Sequence, residues 1–168
     1  MTREAAYSFR LATREDLPML RRWLATPEVR RWWAADPAKE AAILEADLDE
    51  KMLVMRIVSW RGRPFAYAQD YPVHAWPQPY FAPLPPGSRG IDAFIGEPDM
   101  LGRGHGAAFL RLLAELLVAE GAPSIAITPD PENRRARRAY TKAGFRELRL
   151  VDTDEGPSVL MVFDGSER

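Results

Sequence analysis

Between Leu101 and Ala107 the chain reads LGRGHGA, and the residues that follow, up to Glu120, carry Leu110, Leu113 and Leu117 on one helical face with Arg111 and Glu115 on another. Glycine is disfavoured inside helices and strands, so the cluster marks a forced turn, and the leucine spacing fixes a helix behind it. The residues before it, Arg89 to Ile95, read as a strand. Strand, glycine turn and amphipathic helix together make an α/β unit, with backbone N–H groups able to crowd around an anion at the turn. The helix start adds about half a positive charge. Gly102, Arg103, Gly104, His105, Gly106 and Ala107 therefore form a candidate pyrophosphate cradle. A Walker loop would need Lys-Ser or Lys-Thr where Ala107-Ala108 stand, and the spacing GxGxxG also fails. The plain alternative is a flexible turn feeding a core helix.

The remaining elements read in the same way. Tyr7 to Ala12 is a short strand, and Thr13 with Asp16 is a capping-box pattern opening a helix through Leu24. Thr26-Pro27 and Asp36-Pro37 each set an N-cap residue before a first-turn proline. They predict a short helix bearing Trp32-Trp33 and a longer one ending near Glu50. Met52 to Trp60 and Pro64 to Tyr71 are hairpin strands about Arg61-Gly62-Arg63. From Pro72 to Pro86 the proline content forbids a regular ladder, while the aromatic content predicts an aromatic-lined loop. Ser124 to Thr128 is a strand, Asp130-Pro131 opens a helix that stops at Gly144, and Phe145 to Asp152 with Ser158 to Phe163 closes the chain as two strands.

Hydrophobic residues make up 46% and charged residues 28% of the 168, which fits one globular domain spanning 1–168 and excludes disorder or a membrane-resident chain. Lys plus Arg number 23 against 24 Asp plus Glu, so no overall field gathers nucleic acid or anionic membrane. Cysteine is absent, which removes disulfides, thiolate metal sites and any acyl intermediate on an enzyme thiol. His74 and His105 are too far apart for an HExxH site, and no metal is expected. The opening MTREAAYSFRL carries charges where a signal peptide needs an apolar core, which points to a cytoplasmic protein.

In PENRRARRAYTKAGF, Asn133 and Tyr140 lie seven positions apart on one helical face. Arg134, Arg135, Arg137 and Arg138 spread over the others as possible phosphate partners. LGRGHGAAFLRLL together with PENRRARRAYTKAGF resembles the coenzyme A site of the GNAT N-acyltransferase superfamily. That resemblance implies a mixed α/β fold, a central and mostly antiparallel sheet splayed between its fourth and fifth strands and flanked by helices. It implies acetyl-CoA as acyl donor, with the pyrophosphate on the glycine loop and pantetheine along Phe94, Ile95 and Gly96. Asn133 would contact the donor, and Tyr140 would protonate the departing thiolate. The family loop usually opens with Arg or Gln where Leu101 stands. WLATPEVRRWW, FAYAQDY, RGID and EGPSVLMV are in turn similar to aminoglycoside 6'-N-acetyltransferases. The acyltransferases of hydroxamate siderophore biosynthesis are neighbouring relatives, in which a Glu would replace Gln69 and a His would stand near Asp92.

Acetyl transfer to an alkyl amine needs the free base, a polarised carbonyl and an acid for the thiolate. Asp92, on the strand expected beside the thioester, is the candidate base, and N–H groups from Phe94 to Gly96 are candidate carbonyl partners. A tyrosine near its ordinary value of ~10 could share its proton with a thiolate at ~8.5, so Tyr140 needs positioning more than tuning. A polycationic aminosugar calls for carboxylates beside aromatic walls. Asp70, Asp92, Glu97, Asp99 and Asp152 are candidate acids, Gln69 a neutral partner, and Trp32 or Trp33, Tyr67 and Trp76 the walls. Alternation puts Tyr67 and Gln69 on one strand face with Asp70 opposite. Two other outcomes stay open: acyl transfer to a hydroxylamine siderophore precursor, and a catalytically silent coenzyme A-binding relative.

Overall fold

The computed structural model describes residues 6–76 and 78–164. The first five residues of the opening segment, and Pro77 of the proline-rich loop, lie outside that set. Seven strands, β1 (Tyr7–Leu11), β2 (Val54–Trp60), β3 (Arg63–Pro72), β4 (Arg89–Ile95), β5 (Ile125–Ile127), β6 (Arg146–Thr153) and β7 (Gly156–Phe163), hydrogen-bond in the order β1-β2-β3-β4-β5-β7-β6. The pairs β1–β2, β5–β7 and β6–β7 are antiparallel, while β4–β5 is parallel. The parallel ladder holds only Arg89↔Ile125 and Gly90↔Ala126, although β4 continues to Ile95. That early end is the expected splay.

The helices are α1 (Leu17–Leu24), α2 (Pro27–Trp32), α3 (Pro37–Asp47), α4 (His105–Ala119) and α5 (Arg134–Ala143). Local chemistry sets most of their ends. The Thr13 N–H donates to Asp16 Oδ2 at 2.8 Å in the expected capping box, which here opens a single 3-10 turn before α1. Asp36 accepts from the Lys39 N–H at 3.2 Å and starts α3. Arg61 and Gly62 both take positive φ, +50° and +81°, the two-residue turn whose twist matches a β-hairpin. α5 begins later than expected. Asp130 Oδ1 closes a turn on the Glu132 N–H at 2.9 Å, so Asn133 becomes the cap, with its Oδ1 accepting from the Ala136 N–H at 3.2 Å.

The chain forms two compact units, each made of two stretches: residues up to Gln69 with Ala93–His105, and Asp70–Asp92 with Gly106 onward. β3 and β4 each run from one unit into the other. In the first unit, Leu20, Trp23 and Leu24 of α1 pack with Val29, Leu44, Ile57, Tyr67 and Phe94. In the second, Val73 and Phe81 from the proline-rich segment pack with Ala126, Val151 and Leu160, and Tyr71, Tyr80 and Leu84 lie against them. The loop is thus pinned by its aromatic residues, as its composition requires. Leu110, Leu113 and Leu117 of α4 are buried, and Arg111 pairs with Glu115 at 3.0 Å on its outer side. Among the described residues no helix is long and apolar enough to cross a membrane.

Candidate active site

The glycine loop has the geometry its composition demands. Gly102 and Gly104 take φ of +70° and +83°, which side-chain-bearing residues adopt only with strain, and Gly102, Arg103 and Gly104 are exposed. α4 starts at the next residue with no acidic side chain in its first turn, so its positive end is left uncompensated for an incoming anion. Two side chains read as donor contacts, His105 of the cradle and Arg137 of the later helix, go elsewhere. His105 is buried at 4% exposure, with Nδ1 2.6 Å from the Tyr7 hydroxyl, so only its backbone serves the loop. Arg137 donates to both Glu147 oxygens, at 2.9 and 3.1 Å, and to the Pro131 carbonyl at 2.8 Å; it ties the entry of α5 to β6 rather than waiting for a phosphate. Asn133 spends its carboxamide oxygen on the cap of α5. A donor contact there would fall to the amide's nitrogen end.

In the first unit, Phe94 stacks on Tyr67 at 5.3 Å and meets the edge of Trp33 at 5.1 Å. The Tyr67 hydroxyl donates to Gln69 Oε1 at 2.7 Å, so the two residues do share a face. Of the adjacent tryptophans, Trp33 joins this cluster and Trp32 lies beneath the Arg31 guanidinium at 4.6 Å. Gly96 is a glycine because an added Cβ would run into the Trp23 ring. Its N–H donates to the Phe65 carbonyl at 2.8 Å, which removes it from the groups that could polarise a thioester. Ile95 beside it is half-buried. Glu97 and Asp99 also leave the list of acceptor-binding acids. Glu97 takes hydrogen bonds from Trp23 Nε1 at 2.9 Å and Arg22 at 3.0 Å, which hold its carboxyl below the usual range, and Asp99 is gripped by both ends of the Arg63 fork at 2.8 Å.

The second unit holds Asp92, the candidate base. Asp92 is half-buried on β4, two residues past the last β4–β5 pair. Tyr140, on α5, is also half-buried. Burial, and secondarily the charge of Asp92, push its hydroxyl well above the ordinary tyrosine value. The sequence reading expected no such shift. The consequence is a hydroxyl that stays protonated at neutral pH. Tyr71 is raised in the same direction by burial and then by Asp92, and it lies over Gly90 so closely that a Cβ there would stand 2.6 Å from its ring. Tyr80 is raised by burial and by Asp154, Asp92 and Glu155. Trp76 is exposed and meets the Tyr71 ring at 6.1 Å, and Asp152 is exposed on β6.

Asp70 is corrected outright. It is fully buried, and Arg89 donates to its Oδ2 from Nη2 at 2.8 Å and Nε at 3.1 Å, so its charge is neutralised inside the fold and cannot face a polycation. His74 is held by the Leu84 carbonyl at 2.9 Å. Sequence reasoning missed Tyr71, Tyr80, Asp154 and Glu155. Asp154 and Glu155, adjacent acids just before Gly156, are the one signal for this cluster legible in the sequence.

A model of the acetyltransferase (GNAT) domain matches residues 12–153. The chain belongs to the GNAT acetyltransferase family. An aminoglycoside N(6')-acetyltransferase type 1 of Klebsiella pneumoniae is 34% identical to this GNAT chain over 166 aligned positions, covering 92% of it and 81% of that protein. A kanamycin resistance protein of Rhizobium radiobacter is 44% identical over 78 positions, covering 46% of this chain and 72% of that protein. Among solved structures, AAC(6')-Ib in complex with paromomycin and acetyl-CoA has a TM-score of 0.85 at 33% identity, covering 95% of this chain and 94% of that one. The aminoglycoside acetyltransferase AAC(6')-Ib with coenzyme A and kanamycin has a TM-score of 0.83 at 34% identity, covering 95% of each chain. The sheet order and the early end of the β4–β5 ladder are those expected of the GNAT fold, and the protein is an N-acetyltransferase.

Proposed function

We propose that the protein transfers the acetyl group of acetyl-CoA to the 6'-amine of an aminoglycoside-like aminosugar, directly and without a covalent enzyme intermediate. The observation that carries this reading is the electrostatic grouping in the second unit. The charge of Asp92 is felt by the hydroxyls of Tyr71, Tyr80 and Tyr140, and Tyr80 also feels the two acids Asp154 and Glu155. Carboxylates beside tyrosine and tryptophan rings suit a sugar that carries several ammonium groups. The relatives named for aminoglycosides support the same acceptor.

In this reading the acceptor ammonium pairs with Asp92, which takes its proton directly or through water. The freed amine attacks the thioester carbon, the carbon–sulfur bond breaks as the adduct collapses, and the new amide nitrogen sheds its second proton to water. Coenzyme A leaves as a thiolate that takes up a proton from water, and Asp92 returns its own proton to solvent. Tyr140, held protonated by its surroundings, donates a hydrogen bond to the departing sulfur. The pyrophosphate lies on the amides that open α4, at Gly104 to Ala107. No cysteine is present to carry the acyl group, which supports direct transfer. A cytoplasmic setting, where acetyl-CoA is at hand, is part of the same proposal.

Thiol release from acetyl-CoA, measured with kanamycin, tobramycin, spermidine and a lysine-derived hydroxylamine, tests the proposal. Turnover with the aminosugars and little with the others is the expected result. Preference for the hydroxylamine with a medium or long acyl chain would replace the acceptor with a siderophore precursor. Tight acetyl-CoA binding without thiol release for any acceptor would make the protein a silent relative.

A further inference from the structure

Gly104 and Gly106 flank His105, so the residue that opens α4 sits between two positions with unusual backbone freedom. A glycine loop aims its amides well only if something fixes it. The His105 imidazole is the loop's buried polar side chain. Tyr7 and Trp60 face each other across the β1–β2 ladder, and the His105 ring lies against both, at centroid distances of 5.8 and 4.9 Å, with Phe65 of β3 completing the box at 5.5 Å. Inside it, the Tyr7 hydroxyl and His105 Nδ1 are hydrogen-bonded at 2.6 Å.

We propose that Tyr7 and His105 are positioning residues for the acyl donor: their buried hydrogen bond holds the first turn of α4, and hence the pyrophosphate-binding amides, in the conformation the donor needs. The inference rests on the reading that acetyl-CoA binds at the opening of α4. Neither side chain touches the donor; both act through the backbone at Gly104, His105 and Gly106. The box has little slack for a lost bond. Trp60 already buries its indole N–H without an acceptor among the described residues, so a further lost hydrogen bond in the box is poorly tolerated. The loop then gains its freedom back by turning the imidazole, and the donor must bear the cost of reordering it.

The test is Tyr7→Phe, which deletes one oxygen and keeps the ring. Calorimetric Kd for acetyl-CoA and steady-state KM for acetyl-CoA should both rise about fivefold or more, while kcat at saturating donor and the KM for kanamycin stay within about twofold. Amide hydrogen exchange at Gly104 and Gly106 should quicken. Ile57→Val, a mild core truncation in β2, should lower the melting temperature and leave the donor Kd unchanged. His105→Leu removes the nitrogen while filling the box, and the double variant should bind the donor no worse than the poorer single variant. Unchanged donor Kd in Tyr7→Phe, or additive losses in the double variant, would reduce the bond to ordinary stabilisation and overturn the inference. Wild-type protein that fails to bind acetyl-CoA would instead overturn the donor reading, and this inference with it.

Discussion

Asp70 and Asp92 lie on neighbouring strands of the sheet, and the duties proposed for them are opposite, which paired substitutions can separate. The Asp70 side chain is 1% exposed and accepts twice from Arg89, whose own side chain is 23% exposed. Asp70→Ala strands that guanidinium. Breaking a buried pair costs about 3–5 kcal/mol, and because Arg89 keeps some access to water the lower end applies, about 3 kcal/mol. In a domain of this size each kcal/mol moves the melting temperature by about 2–4 °C, so calorimetry should show a fall of about 6–12 °C. Well below the melting range, kcat and the KM for kanamycin should stay within about twofold of wild type. Asp92→Asn should do the reverse, melting within about 2 °C of wild type while kcat/KM drops at least about tenfold, equivalent to about 1.4 kcal/mol of barrier. An Asp70→Ala protein that melts normally yet binds kanamycin weakly would refute the reasoning and return Asp70 to the acceptor site.

Tyr140→Phe should lower kcat about tenfold or more and leave the KM for acetyl-CoA within about twofold, read by thiol release. Glu97 is depressed below its ordinary 4.5 by hydrogen bonds from Trp23 and Arg22. The stability it adds is therefore fully present above that value and drains away as pH falls through the folded one. Urea unfolding should show Glu97→Gln less stable than wild type at about pH 7, with the gap closing toward about pH 3. Gly96→Ala would force a methyl into the Trp23 ring, and a loss of at least about 1–3 kcal/mol in the same assay is expected.

Elements whose ends are set by nearest neighbours were legible in the sequence. Thr13 with Asp16, Asp36 before Pro37, and the leucine face of α4 all act within one or two turns of chain, and each landed within a few residues of its predicted place. Where two local solutions competed, pattern alone could not decide. Asp130 and Asn133 are both good caps, and α5 starts at the second because the first is used to close a turn. Site residues followed the same division. Tyr67 and Gln69 share a face by alternation, a local rule, and they do bond. The partners that reassigned Asp70, His105 and Arg137 lie 19, 98 and 10 residues away, and only the folded chain brings them together. Tyr71 and Tyr80 carry no signal in the sequence, because what sets them apart is the burial and charge around their hydroxyls, which no spacing encodes.

Carbon-13 NMR of kanamycin incubated with the protein and acetyl-CoA labelled in the acetyl carbonyl tests the central claim most directly. One new amide, coupled to the 6' methylene of the sugar and formed at least about tenfold more slowly with Asp92→Asn, is the result the account predicts. Intact label on coenzyme A after prolonged incubation of folded protein, or an acetyl group on any other amine, would contradict it.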